Sequence, residues 1–147
     1  MADVLVDLAS LLSSKLRGRN LALELPQLDQ TYRGRLHEDL LRQVLFNLLQ
    51  NAIEASPEGG RIRCGCDREG EQLVVTVEDA GPGIPRELAD HLFKSGFSTK
   101  RAPELGGLGI GLFTCRSLLQ SVGGSIDCRN LDPGPGACFT VRLPWQA

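Results

Sequence analysis

Two glycine-rich segments constrain the fold and the chemistry of this chain more than any other feature. Residues 79–85 read DAGPGIP and follow an apolar, strand-like run, whereas residues 106–112 read GGLGIGL and continue into a helical pattern. Glycine lets the backbone approach a ligand closely, and backbone amides at a helix N-terminus bind phosphate well. A helical stretch at residues 47–52, which reads NLLQNA, precedes both segments. Together the three segments predict a nucleotide pocket.

The composition is that of an ordinary globular protein and excludes several functional classes. Of the 147 residues, 41% are hydrophobic and 23% are charged, so we expect one domain over residues 1–147. A formal net charge of -2 gives no basic field that would point to nucleic acid. No apolar run approaches the roughly 18 residues that span a bilayer, and the N-terminus lacks a signal-peptide pattern. We therefore expect a cytoplasmic domain that does not bind nucleic acid, and a membrane-anchored parent protein stays open.

The cysteines form neither a metal-binding nor a disulfide pattern. Their number is odd, their spacing is scattered, and no second pair or histidine pair completes a zinc site. Such residues are expected to be small, buried hydrophobic side chains in a reducing compartment. They are Cys64, Cys66, Cys115, Cys128 and Cys138.

Hydrophobic periodicity divides the chain into three long helices and five strands. Apolar residues at helical spacing predict helices at 3–16, 36–56 and 108–122. Short apolar or alternating runs predict strands at 21–25, 61–67, 72–79, 125–130 and 137–143. Residues 80–107 show little periodicity, apart from a short helix expected at 87–93, and a loop of this length is usually functional or mobile.

Asn47 and Asn51 lie four residues apart on the strongest predicted helix, so their side chains stack on one face. Buried amides are costly unless they are hydrogen-bonded, and an apolar helix rarely carries two of them. An amide oxygen is a hard, neutral ligand that suits Mg²⁺ bound to substrate phosphates. The pair indicates a metal or phosphate site, with the equal alternative that both amides satisfy backbone groups or lie exposed.

Asp79 and the second glycine segment each have an ordinary alternative. A carboxylate at a strand end can accept a hydrogen bond from an exocyclic amine such as that of adenine, yet Asp-x-Gly is also common in turns. Gly107, Gly109 and Gly111 offer backbone amides to phosphate, or else form a flexible hinge. The run is neither a Walker loop nor a dinucleotide fingerprint, because no Gly-Lys-Ser/Thr follows and the spacing differs.

In this order the segments resemble the ATP-binding domain of the GHKL superfamily, which includes gyrase, heat-shock chaperone ATPases, histidine kinases and mismatch-repair ATPases. The similar segments are residues 47–55 (N box), 79–83 (first glycine box), 93–100 (F box) and 107–112 (second glycine box). The resemblance covers essentially the whole chain. It implies a Bergerat-type α+β two-layer sandwich, in which a mixed, mostly antiparallel sheet of about five strands packs on three helices. Residues 80–107 would form a lid that the nucleotide orders.

The resemblance also assigns roles to residues. It implies that Asp79 reads the adenine, that Asn51 binds Mg²⁺ and that Asn47 supports the metal or a phosphate; the two asparagines are the implied catalytic residues. Glu54 stands near a position where many histidine kinases carry a basic residue and others an acid, and if it faces the pocket the phosphates need another cation. Lys100 and Arg116 are favoured for this over Lys94 and Arg101. The full ATP-binding set that the resemblance implies is Asn51, Asp79, Gly81, Gly83, Ile84, Phe93, Phe97, Lys100, Gly107, Leu108, Gly109, Gly111 and Leu112.

Asn47 separates the subfamilies of this superfamily. In the hydrolysing members and the anti-sigma serine kinases, the residue at this position is a glutamate that activates a nucleophile, and an amide cannot act as a general base. Asn47, the F box and residues 107–112 are instead similar to sensor histidine kinases, whose nucleophile is a histidine on a separate dimerisation domain. His37, a surface or capping residue, and His91 are interpreted as non-catalytic. The phospho-acceptor and sensor domains are therefore expected outside this chain.

The resemblance thus implies an ATP-dependent protein-histidine kinase domain that uses ATP and Mg²⁺. Its implied partners are a histidine-containing dimerisation domain and a response regulator. Two alternatives stay open at this point. One is a GHKL-type ATPase or serine kinase with a different base, and the other is a degenerate domain that docks partners without nucleotide, against which the near-complete motifs argue.

Overall fold

The three long helices and the five strands predicted from the sequence are all present. A computed structural model describes residues 1–28, 37–89, 92–93 and 110–145 of the chain. The helices are α1 (Ala2–Gly18), α2 (Glu38–Ala55), α3 (Arg86–Ala89) and α4 (Ile110–Ser121). The strands are β1 (Ala22–Glu24), β2 (Arg61–Glu69), β3 (Gln72–Glu78), β4 (Ser125–Asn130) and β5 (Ala137–Pro144).

The strands form one mixed sheet in the order β1-β2-β3-β5-β4. Only β1 and β2 run parallel to each other among these strands, and the other three pairs are antiparallel. The predicted mixed, mostly antiparallel sheet is therefore confirmed. β2 is two residues longer than expected, since Arg68 and Glu69 still pair with β3 and Gly70, at φ +61°, closes a tight turn.

One face of the sheet carries the hydrophobic core. Leu73, Val75 and Val77 alternate along β3, and their partners on β5 are also buried. They join the apolar side chains of α1, α2 and α4 in a single cluster. The fold is a two-layer sandwich whose helices cover one face of the sheet. Within the described ranges, no helix is long and apolar enough to cross a lipid bilayer.

The five cysteines form no disulfide, and the prediction of buried thiols is confirmed for three of them. Cys64, Cys115 and Cys138 are buried, whereas Cys66 and Cys128 are half-buried. Burial raises the pKa of the Cys64 thiol to about 12, so this side chain stays protonated at neutral pH. Cys64 therefore behaves as a packing residue.

Candidate functional site

The Asp79 carboxylate is buried and held by backbone amides immediately after β3. Asp79 is 7% exposed. Its Oδ1 accepts hydrogen bonds from the amides of Gly81 (2.9 Å) and Ala137 (3.3 Å). Burial raises the pKa of Asp79, and the hydrogen bonds from Gly81 and Ala137 offset part of this rise. The result is a fixed acceptor at the end of a strand.

Two glycines after Asp79 are required for different reasons. A Cβ on Gly81 would lie 2.7 Å from the carbonyl oxygen of Ala55, so the loop can approach the end of α2 only without a side chain. Gly83 has φ +84°, which favours glycine, and a Cβ there would lie 2.8 Å from Oδ1 of Asn130. The structure therefore places the first glycine segment against α2 and against the end of β4.

Ser56 connects the end of α2 to this loop and was not singled out by the sequence. It is fully buried, and its Oγ accepts a hydrogen bond from the amide of Ala80 at 3.2 Å. Its carbonyl oxygen accepts one from Nη2 of Arg19 at 2.7 Å. The only local signal was that a helix ends before Pro57, and this signal does not reveal what the hydroxyl binds.

Asn51 is a buried amide with an unsatisfied donor. It is 7% exposed, and its Nδ2 has no hydrogen-bond partner among the described residues. Leaving a buried polar group unpaired costs about 1–3 kcal/mol. A 180° rotation of the amide exchanges its nitrogen and oxygen. The position therefore fits either a phosphate oxygen, which would accept from the nitrogen, or a cation bound by the oxygen.

Asn47 lies beside the first turn of α4. Its Nδ2 donates to Sγ of Cys115 at 3.6 Å, and that sulfur lies 3.9 Å from the carbonyl oxygen of Val44. A Cβ on Gly111 would lie 3.9 Å from Cγ of Asn47. The structure thus brings together Asn47 from α2 and Gly111 from the second glycine segment, as the nucleotide-pocket hypothesis requires.

Three other predicted site residues are anchored by packing. Ile84 is 7% exposed, and Leu112 is fully buried in the hydrophobic core. The Phe93 ring meets that of Phe139 edge to face, with centroids 6.5 Å apart. Their roles in binding stay predictions. Other residues predicted for the site lie outside the described part of the chain, namely Lys94, Phe97, Lys100, Arg101, Gly107, Leu108 and Gly109.

The remaining charged candidates lie on the surface. Arg116 is exposed on α4. Glu54 is exposed as well, and partial burial raises the pKa of its carboxyl while Lys15 and Arg19 lower it in part. Lys15 lies in the last turn of α1 and Arg19 directly follows the helix, so both charges that act on the Glu54 carboxylate come from the C-terminal end of this helix. His37 is exposed at the start of α2 and makes no side-chain capping bond, so of the two roles predicted for it the structure supports the surface one.

Asn130 is a second residue that sequence reasoning missed. It ends β4, and its side-chain amide bonds to both backbone groups of Ile84. The sequence separation is 46 residues, so no local pattern could have indicated the contact. Asn130 therefore belongs to the frame of the site although it lies in neither glycine segment.

Comparisons with known proteins show the family of the chain. Residues 36–147 match the model of the histidine kinase-, DNA gyrase B-, and HSP90-like ATPase family. The adaptive-response sensory kinase SasA of Rippkaea orientalis is 39% identical over 108 residues, which cover 73% of this chain and 27% of SasA. The alginate biosynthesis sensor protein KinB of Pseudomonas aeruginosa is 34% identical over 144 residues, which cover 98% of this chain and 24% of KinB.

Solved structures point the same way. The catalytic domain of histidine kinase ThkA superposes with a TM-score of 0.85 at 30% identity, over 98% of this chain and 91% of that domain. ThkA has also been solved in complex with the response regulator protein TrrA, where the TM-score is 0.80 at 29% identity, over 98% of this chain and 40% of that one. The chain spans about a quarter of the length of the curated relatives named above. It belongs to the histidine kinase-, DNA gyrase B-, and HSP90-like ATPase family, as a catalytic domain of the sensor histidine kinase type.

Proposed function

We propose that this chain is the single ATP-binding catalytic domain of a two-component sensor histidine kinase. It would transfer the γ-phosphoryl group of ATP to a histidine on a separate dimerisation domain, from which the group passes to an aspartate of a response regulator. The observation that carries the proposal is the buried Asp79 carboxylate, which Gly81 and Ala137 fix at a strand end. The response regulator as partner is supported by the complex of the related kinase ThkA with TrrA.

Adenine recognition would rest on the loop after β3. Because Oδ1 of Asp79 is engaged by two backbone amides, the same carboxylate offers Oδ2 to the exocyclic amine of adenine. Gly81 and Gly83 keep the loop close to α2 and β4, and Ile84 contributes an apolar side chain at its end. A base that lacks this amine would leave Oδ2 of the buried carboxylate without a donor, and selectivity for adenine follows.

Phosphate and metal binding would rest on α2 and on the start of α4. Asn51, whose Nδ2 has no partner among the described residues, would turn its amide oxygen to Mg²⁺, which neutralises phosphate charge when bound. Asn47 would support the metal or a phosphate oxygen. Backbone amides at Gly107, Gly109 and Gly111 would cradle the phosphates, and Phe97, Leu108, Lys100 and Arg116 would complete the site.

The side chain of Asn47 cannot accept a proton. This favours phosphoryl transfer to a histidine of a partner domain over hydrolysis of ATP. The amide nitrogen of Asn47 is a donor to Cys115, and an amide has no basic lone pair at neutral pH. An imidazole nucleophile on the dimerisation domain needs less activation than water or serine. Catalysis by this chain would consist of positioning the nucleotide and neutralising its charge.

Calorimetric titration of ATP into the purified domain, with and without Mg²⁺, tests the proposal. We expect binding in about the micromolar range that Mg²⁺ strengthens and ADP competes for, with negligible hydrolysis over the same period. An absence of heat together with an absence of competition by ADP would overturn the nucleotide site and leave a docking domain as the better account.

Asn47→Glu is expected to raise ATP hydrolysis by about tenfold or more, since a positioned general base typically contributes 10²–10⁴-fold and this one would be imperfectly placed. Asn47→Gln is the matched control, because it has the same length but no basic group. Hydrolysis is measured as release of inorganic phosphate with ATP in excess. An equal rate in the Glu and Gln variants would count against position 47 as the base position of the family.

A further inference from the structure

Asn130 holds Ile84 by both of its backbone polar groups. The amide of Ile84 donates to Oδ1 of Asn130 at 2.7 Å, and Nδ2 of Asn130 donates to the carbonyl oxygen of Ile84 at 3.0 Å. One side chain thus replaces the donor and the acceptor that a neighbouring strand would supply. Asn130 itself is exposed, so these two bonds, and not core packing, are its main contribution.

Gly83, the residue before Ile84, lies close to the side chain of Asn130. Gly83 adopts φ +84°, and a Cβ there would lie 2.8 Å from Oδ1 and 3.2 Å from Cγ of Asn130. A side chain at position 83 would therefore both strain the backbone and displace the amide of Asn130. The close approach of Gly83 and the two hydrogen bonds to Ile84 fix the end of the loop in one conformation.

The start of the same loop is held by the same hairpin. The Asp79 amide donates to the carbonyl oxygen of Ala137 at 3.0 Å, and the Ala137 amide donates back to the Asp79 carboxylate. Leu131 and Gly136 close the hairpin between the two contacts through a 2.9 Å backbone bond. The β4–β5 hairpin therefore hydrogen-bonds to residues 79–84 at both ends, through Ala137 at one end and Asn130 at the other.

We propose that Asn130 is a positioning residue for adenine selectivity, a role that rests on the proposed function. By fixing Ile84, it keeps residues 79–84 in the conformation in which the Asp79 carboxylate meets the exocyclic amine. Without it the loop samples other conformations, and the apparent affinity for ATP falls by the fraction that remains competent. Inosine triphosphate (ITP) carries a carbonyl in place of the amine. The well-placed carboxylate repels this carbonyl, and relief of the repulsion offsets the loss of apolar contact with Ile84, so loosening the loop changes the ITP affinity little.

The test compares ATP and ITP affinities, measured by calorimetry, in the wild-type domain and in Asn130→Ala. We expect the variant to bind ATP about tenfold more weakly and ITP within about twofold of wild type, so that the ATP-to-ITP preference narrows about tenfold. Arg129→Ala, at the neighbouring exposed position of β4, is the matched control and is expected to keep the wild-type preference. A merely structural role would lower both affinities by the same factor.

An unchanged preference in Asn130→Ala, or an equal loss for both nucleotides, overturns the role of Asn130 and leaves the proposed function intact. A wild-type domain that binds neither nucleotide overturns both. Asn130→Asp has the same shape but replaces the Nδ2 donor by an oxygen, and it decides the matter if the alanine variant does not fold. The preference is expected to fall in this variant too, and wild-type selectivity there would equally overturn the proposal.

Discussion

Asp79→Asn is expected to weaken ATP binding about 100-fold, which corresponds to about 2.7 kcal/mol. In the structure Oδ1 accepts the amides of Gly81 and Ala137. The oxygen of an asparagine would stay with these donors, so its NH₂ group would take the place of Oδ2. A donor would then face the exocyclic amine of adenine, itself a donor, and both groups would lose a buried hydrogen bond.

Calorimetry with ATP and ITP checks this result. The NH₂ group of the variant can donate to the carbonyl of ITP, so we expect the ITP affinity to fall little or to rise. If the variant bound ATP with the wild-type affinity, Asp79 would not be part of the adenine site. Equal weakening of both nucleotides would indicate a distorted loop in place of lost recognition.

The same substitution is expected to stabilise the nucleotide-free domain at neutral pH. Burial raises the pKa of Asp79, so the native state holds this proton more tightly than the unfolded chain does. The stability of the wild type therefore rises as the pH falls from neutral through the raised pKa. Asparagine carries no charge, so its advantage is largest at neutral pH and shrinks on acidification.

Thermal denaturation at a series of pH values measures this advantage. Each 1 kcal/mol gained should raise the melting temperature by about 2–4 °C in a chain of this size. Asp67→Asn, at an exposed carboxylate on β2, is the matched control and should change stability by less than about 0.5 kcal/mol. If the stability gain of Asp79→Asn grew as the pH fell, it would contradict a raised pKa of Asp79 in the native state. Binding sites commonly lower the stability of a fold, and here the buried charge of Asp79 lowers it while providing a strong hydrogen-bond acceptor.

The elements of the fold were predictable because their signals are local and strong. α2 carries buried residues at helical spacing, from Leu41 to Ile53, and β3 alternates with period two from Leu73 to Val77. The burial of Asn51 did not follow from this periodicity, because the sequence left open whether the amides of Asn47 and Asn51 are buried or exposed. Boundaries were less certain, and β2 extends beyond Asp67 because pairing with β3 outweighs the polar character of its end.

The frame around the candidate site was not predictable in the same way. Ser56 and Asn130 act through hydrogen bonds to residues 24 and 46 positions away, and neither lies in a glycine segment. Serine and asparagine at the ends of helices and strands are common for local reasons. Only the three-dimensional structure distinguishes a residue that caps its own element from one that holds a distant loop.

Asn51→Leu is expected to abolish the dependence of ATP affinity on Mg²⁺ and to lower phosphoryl transfer about 100-fold, or about 2.7 kcal/mol. Leucine is close in size to asparagine but offers neither a ligand nor a donor. The nucleotide-free domain should be no less stable than the wild type, because the variant removes a buried Nδ2 that has no partner among the described residues. Calorimetry at several Mg²⁺ concentrations measures the first effect, phosphorylation of an added dimerisation domain measures the second, and thermal denaturation measures the stability.

Asn51→Asp separates the two roles that the amide could play. A carboxylate keeps an oxygen ligand for Mg²⁺, so a metal-binding role predicts that the dependence of ATP affinity on Mg²⁺ survives in this variant. A role as donor to phosphate predicts the opposite, because the carboxylate would repel the phosphate oxygens. Loss of ATP binding in the Asp variant would therefore indicate that Asn51 donates to a phosphate oxygen and does not bind the metal. Unchanged Mg²⁺-dependent binding in the Leu variant would exclude both roles, and the buried amide would then be only an unsatisfied group that the fold tolerates.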